Sequence, residues 1–360
     1  MWHLRDYIAE MEGPDAEEEP LTMKECAEVA EQCLFGRAKA VALSIGNVNE
    51  KGAQEVAEVI ESHFLKKRPL FEDENPRFQS LRMPTKAEAM RIYGSSVGSQ
   101  EVPIIYEALA HSESEENNSV ELVMQTGSST ELGFEGLAIQ ELIGHMAYNS
   151  AFNQLRTKEQ LGYIVSAFTK KTTGGGNAFC TIVQSSNTLP PAVEERCLRW
   201  VEQFHKELID MPEERFAMEA AAVKANILEK DIKLSEEISS VWGEILSTHP
   251  HSDHFSTPTF DRLERFANVL TLDRTEEEAK DELTSSIKSA AELKKRVLEF
   301  YEQYFLPTSP DRKVVSARVY NRKAKAMFEE NIGKPGFISS YDDARKLKQY
   351  LTSFPTAPYW

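Results

Sequence analysis

The side chains best suited to chemistry lie in one short segment, Arg156 to Val165, which reads RTKEQLGYIV. Arg156 carries a planar fork of N–H donors and Tyr163 carries one phenolic donor, so both can bind a carbonyl oxygen or a carboxylate. Gly162 is expected to end a helix, and the β-prone residues that follow it are expected to start a strand. The two donors would then flank a helix-to-strand break. Spacing alone favours a plainer interpretation, a surface arginine and a half-buried tyrosine.

A longer stretch around this segment resembles the C-terminal half of the insulysin branch of the pitrilysin family of zinc peptidases. In that family, a helix that ends in a phrase like SAFNQLRTKEQLGYIV, Ser150–Val165 in this chain, leads into a β-hairpin. The hairpin would comprise Gly162–Thr169, a tip at Gly174–Gly176, and Asn177–Gln184. Further fragments follow in the family's order: Ala42–Asn47, Lys233–Ile245 and Val314–Tyr320. The ordered set is much more specific than any one fragment, and the resemblance covers most of the chain.

The resemblance implies roles for three residues. In related enzymes the N-terminal half carries zinc, and the C-terminal half closes over it and delivers an arginine and a tyrosine to the bound peptide. If the corresponding residues of this chain have the same roles, Tyr163 would donate a hydrogen bond near the scissile carbonyl, where oxyanion charge develops. Arg156 would hold a substrate carbonyl or the Tyr163 hydroxyl, and Phe152 would line the pocket beside the cleaved bond. The other matching residues, Lys158, Glu159 and Gln160, are interpreted as framing of the helix end.

The zinc motif of the family is missing from this sequence. The family uses His-x-x-Glu-His with a downstream glutamate, in which the inner glutamate acts as general base on the metal-bound water. Neither this motif nor His-Glu-x-x-His occurs in the 360 residues. The nearest cluster is His249, His251 and His254, where Pro250 disfavours a regular helix, and a solvated loop is favoured over an adventitious zinc or nickel site. We therefore expect no metal or cofactor in this chain, and zinc only in the N-terminal half of the full-length enzyme.

Three other features are interpreted as structural. His145 lies on an apolar face of the helix before the segment and is expected to be a satisfied core or boundary residue. Lys170 and Lys171 could meet an acidic substrate end, but a solvated hairpin tip is favoured. The glycines at 174–176 are not followed by Gly-Lys-Ser/Thr, which argues against a phosphate-binding loop.

Composition narrows the class of protein. The 41 Lys and Arg against 58 Asp and Glu leave a net charge of −17, which argues against a nucleic-acid partner because phosphate binding needs a basic face. The absence of an apolar run of about eighteen residues argues against a membrane span. The acidic N-terminus is unlike a signal or transit peptide. The four cysteines, Cys26, Cys33, Cys180 and Cys197, lack CxxC spacing and are expected to be reduced core residues. These features predict a cytoplasmic protein.

The order of predicted elements indicates an α+β fold, with a mostly antiparallel sheet and helices packed on one face. An early helix opens with the capping-box spacing of Thr22 and Glu25, and is followed by a strand at Lys39–Ile45 and a helix at Glu50–Leu65. Later strands are predicted at Arg91–Tyr93, Ile104–Leu109, Val120–Thr126 and Val314–Tyr320. Later helices are predicted at Glu131–Asn153, from Pro190, Pro212 and Ser235, and at Phe260–Leu270, Ala291–Phe305 and Tyr341–Tyr350. The charged stretch 273–289 is expected to be an insertion.

The predicted domains follow from this order. Residues 1–70 would be the C-terminal part of an incomplete α/β roll, the family's third domain. Residues 71–90, which contain Pro76 and Pro84, would be a crossover linker. Residues 91–360 would form one complete roll, the family's fourth domain.

Two functions of different class are carried forward. In the first, the chain is the substrate-binding C-terminal half of an insulysin-like zinc metalloendopeptidase that hydrolyses internal bonds of peptides. Its partners would be the N-terminal catalytic half, peptide substrates and a possible second copy in a homodimer. In the second, it is a non-catalytic scaffold or partner subunit of the same family. A Ser-His-Asp hydrolase has no nucleophile-elbow motif to support it.

Overall fold

A computed structural model describes ten stretches of the chain. They are residues 21–33, 42–64, 79–94, 97–99, 101–172, 174–246, 263, 266–272, 287 and 289–355. Their contacts divide them into two units. The first contains 21–33, 42–64 and 231–242, and the second contains the rest. The histidines His249, His251 and His254 and most of the predicted insertion at 273–289 lie outside the described residues. The predicted domain limits at 70 and 90 stay predictions.

The helices are numbered along the chain. They are α1 (Met23–Cys33), α2 (Glu50–Phe64), α3 (Lys86–Tyr93), α4 (Ser129–Ala151), α5 (Pro190–Asp210), α6 (Glu213–Ile227), α7 (Leu234–Leu246), α8 (Ala290–Tyr304), α9 (Lys325–Asn331) and α10 (Tyr341–Lys348). A π-helical segment, Phe152–Lys158, continues α4, and a 3-10 turn, Arg322–Ala324, precedes α9. The predicted starts at Pro190 and Pro212 are confirmed, since Pro190 is the first residue of α5 and Pro212 the N-cap of α6.

The first unit contains α1, α2 and the beginning of α7. The predicted capping box of α1 is present, because the backbone N–H of Glu25 donates to Thr22 Oγ1 at 3.2 Å and Glu25 Oε2 accepts from the N–H of Thr22 at 2.8 Å. The predicted strand is wrong in its described part, since residues 42–45 are assigned to no strand. Among the described residues of the first unit, no segment pairs with residues 42–45. A single extended segment without a paired neighbour cannot form the hydrogen bonds of a strand. The turn after it is confirmed at Gly46, whose φ is 122°.

The second unit is built on a six-stranded sheet in the order β3-β4-β2-β5-β1-β6. Its strands are β1 (Ile104–Leu109), β2 (Asn118–Ser128), β3 (Ile164–Thr172), β4 (Gly176–Ser185), β5 (Lys313–Tyr320) and β6 (Phe337–Ile338). The pairs β3–β4, β4–β2 and β2–β5 are antiparallel, whereas β1 is parallel to both β5 and β6. The α+β prediction is confirmed. β5, from the far end of the chain, lies between β1 and β2.

Helices α4, α5, α6 and α8 contribute to the main hydrophobic core, which also contains one face of the sheet. Its centre is aromatic: the ring of Phe179 on β4 lies 5.3 Å from that of Phe305, and the ring of Phe204 lies 5.7 Å from both Trp200 and Tyr301. The one polar atom of Tyr301 is satisfied, since its hydroxyl donates to the carbonyl of Val201 at 2.9 Å. A smaller cluster on the other face lies under α3 and α10; it contains Ala89, Ile104, Ile338 and Leu347.

Residues 86–93 differ from expectation. The sequence predicts a linker at Lys86–Met90 and a strand at Arg91–Tyr93, but together these residues form α3. The capping box between Thr85 and Glu88 satisfies the first N–H groups of this helix. This local stabilisation outweighs the β-propensity of the short run Arg91–Tyr93.

The cysteines and the helix lengths bear on two further predictions. Cys180 and Cys197 are free and buried, as predicted, whereas Cys26 is exposed and the prediction is wrong for it. The side chain of Cys33 lies outside the described part. Among the described helices, none combines the length and the apolar character that a membrane crossing requires.

Candidate substrate-contact site

The helix that leads into the candidate site changes its hydrogen-bonding pattern where the site begins. α4 ends at Ala151, and Phe152–Lys158 continues as a π-helix. The N–H of Glu159 donates to the carbonyl of Gln154, five residues earlier, at 3.0 Å. Such widened turns are rare in proteins as a whole, and many of those that occur lie at functional sites. The sequence predicts a helix to about residue 153, and the wider turn is not among its predictions.

The sequence predicts that the helix ends at Gly162, but the π-helix already ends at Lys158. Gln160 has a φ of 52° and turns the chain, a left-handed conformation that costs a non-glycine residue roughly 1–2 kcal/mol. Gly162 is needed for a different reason. A Cβ at this position would overlap the carbonyl oxygen of Gln184 on β4. The glycine therefore lets the start of β3 pass close against β4.

The three predicted site residues are brought together around the guanidinium of Arg156. Its Cζ lies 4.6 Å from the ring centroid of Phe152 and 4.5 Å from that of Tyr163. Both distances are within the roughly 6 Å of a cation–π contact. Phe152 is one π turn before Arg156, and Tyr163 follows the chain reversal at Gln160. The turn and the reversal thus place both rings on one cation.

Tyr163 is the most accessible member of this stack, with 82% of its surface exposed. Its side chain is therefore free to meet a ligand while the ring rests on Arg156. Tyr148, one turn before Phe152, extends the aromatic surface, with a ring separation of 6.5 Å. The arrangement offers hydrogen-bond donors beside aromatic faces. Such a combination suits a peptide carbonyl next to an apolar side chain.

Two other candidates have local structural partners instead. Lys170 Nζ lies 2.7 Å from Glu121 Oε1 on β2, and this hydrogen bond raises the pKa of Lys170. The lysine is thus tied to the sheet rather than fully solvated at the hairpin tip. His145 Nε2 lies 3.3 Å from Glu219 Oε2 on α6, so it has a partner at the helix boundary, as predicted.

A metal site is not found in the described part of the chain. No three His, Cys, Asp or Glu side chains there converge as a possible set of metal ligands. The described residues therefore do not fit the zinc that the family resemblance implies, and no chemical step is assigned to a metal held by them.

A cleft of about 590 Å³ lies near the site, where α4, α5 and α6 meet. Two of its acidic side chains, Glu207 and Glu219, are already bound. Glu207 accepts from Ser150 Oγ at 2.7 Å, and Glu219 faces both His145 and Arg215. The cleft therefore offers a ligand few free charged groups.

Of the residues that hold the π turn, the sequence indicates Glu159 as framing of the helix end but does not indicate Gln154 or Arg196. Gln154 Nε2 donates to Glu159 Oε1 at 2.9 Å, and Arg196 Nη1 on α5 donates to Glu159 Oε2 at 2.8 Å. The five-residue spacing of Gln154 and Glu159 is a usable signal, because the hydrogen bonds of a π-helix also join residues five positions apart. Arg196 carried no local signal.

Comparison with known proteins defines the class. The family model for the PQQ synthase PqqF-like C-terminal lobe, domain 4, matches residues 142–242. The human insulin-degrading enzyme is 27% identical over 296 residues, which cover 81% of this chain and 24% of that protein. A nardilysin-like protein of Arabidopsis thaliana is 28% identical over 207 residues, 58% of this chain and 18% of that protein. The crystal structure of pitrilysin shares the fold, with a TM-score of 0.54, 18% identity, and coverage of 87% of this chain and 27% of its own.

These matches, together with the ordered elements around the stack, indicate a pitrilysin-type peptidase domain. The chain is similar to the insulysin-like branch of the pitrilysin family, in its C-terminal half. It spans about a quarter (24%) of the length of the first curated relatives that it matches.

Proposed function

We propose that this chain is the substrate-binding C-terminal half of a zinc metalloendopeptidase that hydrolyses internal bonds of peptides. The observation that carries the proposal is the stack of Phe152, Arg156 and Tyr163 on the exposed surface. It places a guanidinium against two rings beside an accessible phenol, and these donors and apolar faces suit a bound peptide. The stack lies at a π turn, a feature common at functional sites.

Each residue of the stack has a distinct task in the proposal. Tyr163 donates its O–H to the carbonyl oxygen of the bond to be cleaved and stabilises the charge that develops there. Arg156 holds a neighbouring backbone carbonyl and fixes the ring of Tyr163 from behind. Phe152 provides the apolar wall against the adjacent substrate side chain. Positioning of this kind lowers the barrier because the reacting groups are already oriented when the substrate is bound.

The remaining partners are part of the same proposal. A separate N-terminal half binds the zinc, which supplies an activated water and polarises the carbonyl. The two halves enclose a peptide, and a second copy of the enzyme is a candidate partner in a homodimer. The cytoplasmic setting stays a prediction from the sequence. The isolated chain is expected to be inactive or nearly so.

The decisive experiment is hydrolysis of a quenched fluorescent peptide. The chain is assayed alone and after mixing with a separately expressed zinc-bearing N-terminal half from the same organism. Activity is expected only in the mixture. Tyr163→Phe should lower the rate by about 10²–10³, the typical cost of removing one oxyanion donor. Tyr148→Phe is the matched control, because Tyr148 is also partly exposed, at 48%, but does not stack on Arg156.

The same assay tests the scaffold alternative. If the two halves form a complex that has no activity, the chain is a non-catalytic partner, and the stack is structural. Peptidase activity of the isolated chain with stoichiometric zinc, lost on chelation, would contradict the proposed division of labour between the halves.

A further inference from the structure

A stripe of polar side chains on α5 is bonded to the end of α4 and to the π turn. Its members lie four, three and four residues apart, which places them on one face of the helix. They are Arg196, Trp200, Gln203 and Glu207. The partner side chains, Ser150, Gln154 and Glu159, come from the segment that carries Phe152 and Arg156. We call these seven bonded side chains the seam. The seam connects α5 to the segment that carries the candidate site.

The seam is continuous from the buried core to the helix end. The indole N–H of Trp200, which is 1% exposed, donates to Ser150 Oγ at 3.1 Å, and Ser150 Oγ donates to Glu207 at 2.7 Å. Gln203 Nε2 links Glu207 Oε1 at 2.9 Å to Gln154 Oε1 at 3.2 Å. Because buried Trp200 holds Ser150, the segment that follows Ser150 can lie only at a restricted position along α5.

The outer end of the seam is a charged clamp. Gln154 Nε2 donates to one oxygen of Glu159 at 2.9 Å, and Arg196 Nη1 donates to the other at 2.8 Å. The Glu159 side chain is only 18% exposed, against 45% for Arg196. A charge-assisted hydrogen bond in such a half-shielded place is stronger than one at a fully solvated surface. Both oxygens of Glu159 are thereby committed to holding the turn.

The bond between Gln154 and Glu159 distinguishes a π turn from an α turn. In an α-helix, side chains five residues apart point about 140° away from each other, at about 100° per residue. In the π turn the backbone bond from Glu159 to Gln154 brings the two side chains to the same side. The side-chain bond therefore forms only when the turn is wide, and it stabilises the wide form against the regular one.

We infer that Glu159, clamped by Arg196 and Gln154, is a positioning residue for Arg156 and Tyr163. By holding the π turn it fixes the rotation of the helix end, and so keeps the rings of Phe152 and Tyr163 against Arg156. This inference rests on the proposed function of the stack for its catalytic consequence. Its structural part, the dependence of the π turn on Glu159, stands without it.

The structural part is tested by hydrogen exchange on the full chain. In Glu159→Ala and Arg196→Ala, backbone amides of residues 155–161 should exchange about tenfold faster or more, because the turn opens locally. Amides in the first half of α4 should not change. Glu195→Ala is the matched control, since Glu195 is the neighbour of Arg196 and pairs with Arg199 on the solvent side of the same helix. Unchanged exchange at 155–161 in both variants would overturn the inference.

The catalytic consequence is tested in the mixture with the zinc-bearing half. Glu159→Ala should reduce kcat/KM at least tenfold, mainly through kcat, and Glu159→Gln should recover part of it because the amide can still bond to Gln154. In an Arg156→Ala background, Glu159→Ala should cause little further loss, since two residues that act through one another are not additive. Full additivity of the two losses would show that Glu159 does not act through Arg156.

The two ideas fail in different ways. If Arg156→Ala and Tyr163→Phe leave the activity of the mixture intact, the proposed function is wrong, whatever the exchange data show. If these variants are inactive but Glu159→Ala is fully active with normal exchange, the proposed function stands and the clamp is not a positioning device.

Discussion

At the scale of single residues, the central feature is a guanidinium that lies over two aromatic rings. Arg156 lies about equally far from Phe152 and Tyr163, at 4.6 and 4.5 Å. Its planar, delocalised cation can stack on aromatic rings and still present a fork of N–H donors at its edge. The ammonium of lysine is a compact point charge without that fork.

This difference predicts the outcome of Arg156→Lys. The variant keeps the charge but loses the stack and the fork of donors, so we expect at least a tenfold loss of kcat/KM in the reconstituted enzyme with an unchanged Tm. The measurement is peptide hydrolysis alongside thermal unfolding. Arg199→Lys, an exposed position on α5, serves as control. Wild-type activity of Arg156→Lys would show that only the charge matters.

Gly162 offers a prediction about packing that is independent of function. Because a Cβ would overlap the carbonyl of Gln184, Gly162→Ala should force β3 away from β4 and destabilise the chain by about 1–3 kcal/mol. Gly243→Ala is the contrasting control, since nothing lies within 4 Å of a Cβ in that exposed helix. There the change should be neutral or stabilising by roughly 0.5–1 kcal/mol. Urea unfolding of both variants measures the difference.

At the scale of elements, local side-chain bonds decide where several helices begin. α3, α4 and α10 each start with a Ser or Thr whose hydroxyl accepts from the backbone N–H three residues on. In α3 this cap outweighs the short run Arg91–Tyr93, for which the sequence predicts a strand. Glu88 is its key residue, since it bonds the N–H of Thr85 and forms an ion pair with Arg82.

The ion pair of Glu88 predicts a dependence on acid. The hydrogen bond from Arg82 lowers the pKa of Glu88 to about 2, from 4.5, and the bond from Thr85 contributes. A depressed carboxyl pKa stabilises the fold above about pH 4.5, and this contribution is lost as the pH falls towards 2. Because Glu88 is partly solvated, the loss should be below about 1 kcal/mol.

The check is the urea midpoint between pH 6 and 2.5 in wild type and Glu88→Gln. The amide keeps the capping box but cannot titrate, so the difference between the two proteins should shrink as the pH falls. Glu113→Gln, at an exposed loop position, should run parallel to wild type at every pH. A constant gap between Glu88→Gln and wild type would contradict the assignment.

At the scale of the whole second unit, a buried charge network links β1, β5 and α5. Arg318 donates from Nε and Nη2 to the two oxygens of Glu194, each at 2.9 Å, and from Nη1 to Glu107 at 3.1 Å. The three side chains are at most 4% exposed. Although burial opposes it, the hydrogen bonds that Arg318 donates to Glu194 raise the pKa of Arg318 above its usual value. The network joins residues that are 124 and 211 positions apart.

Breaking this network should be costly. Glu194→Ala leaves Arg318 buried without its bidentate partner, and we expect a loss of about 3–5 kcal/mol in the free energy of unfolding. Glu194→Ala combined with Arg318→Met and Glu107→Gln should cost less than the single change, because no buried charge is then left without its partner. Urea denaturation of the two variants tests this. A triple variant that is less stable than the single one would show that the network itself stabilises the fold.

The sequence by itself determined the features that depend on neighbours along the chain. These include the helix starts at Thr22, Pro190 and Pro212, the hairpin of β3 and β4, and the identity of Phe152, Arg156 and Tyr163 as candidate residues. Each depends on capping, proline geometry or a contiguous phrase, so the physical cause lies within a few residues. The strand at Arg91–Tyr93 failed for the same reason, because a stronger local signal at Thr85 and Glu88 was overlooked.

Only the tertiary structure decided the features that depend on long-range packing. The placement of β5 between β1 and β2, the bond from Arg196 to Glu159 across 37 residues, and the close passage of Gly162 against Gln184 all join distant segments. Such contacts form because burial of the shared core outweighs the entropy of closing long loops, and no local pattern encodes which segments will meet. The π turn belongs with them, because the seam from α5 selects it.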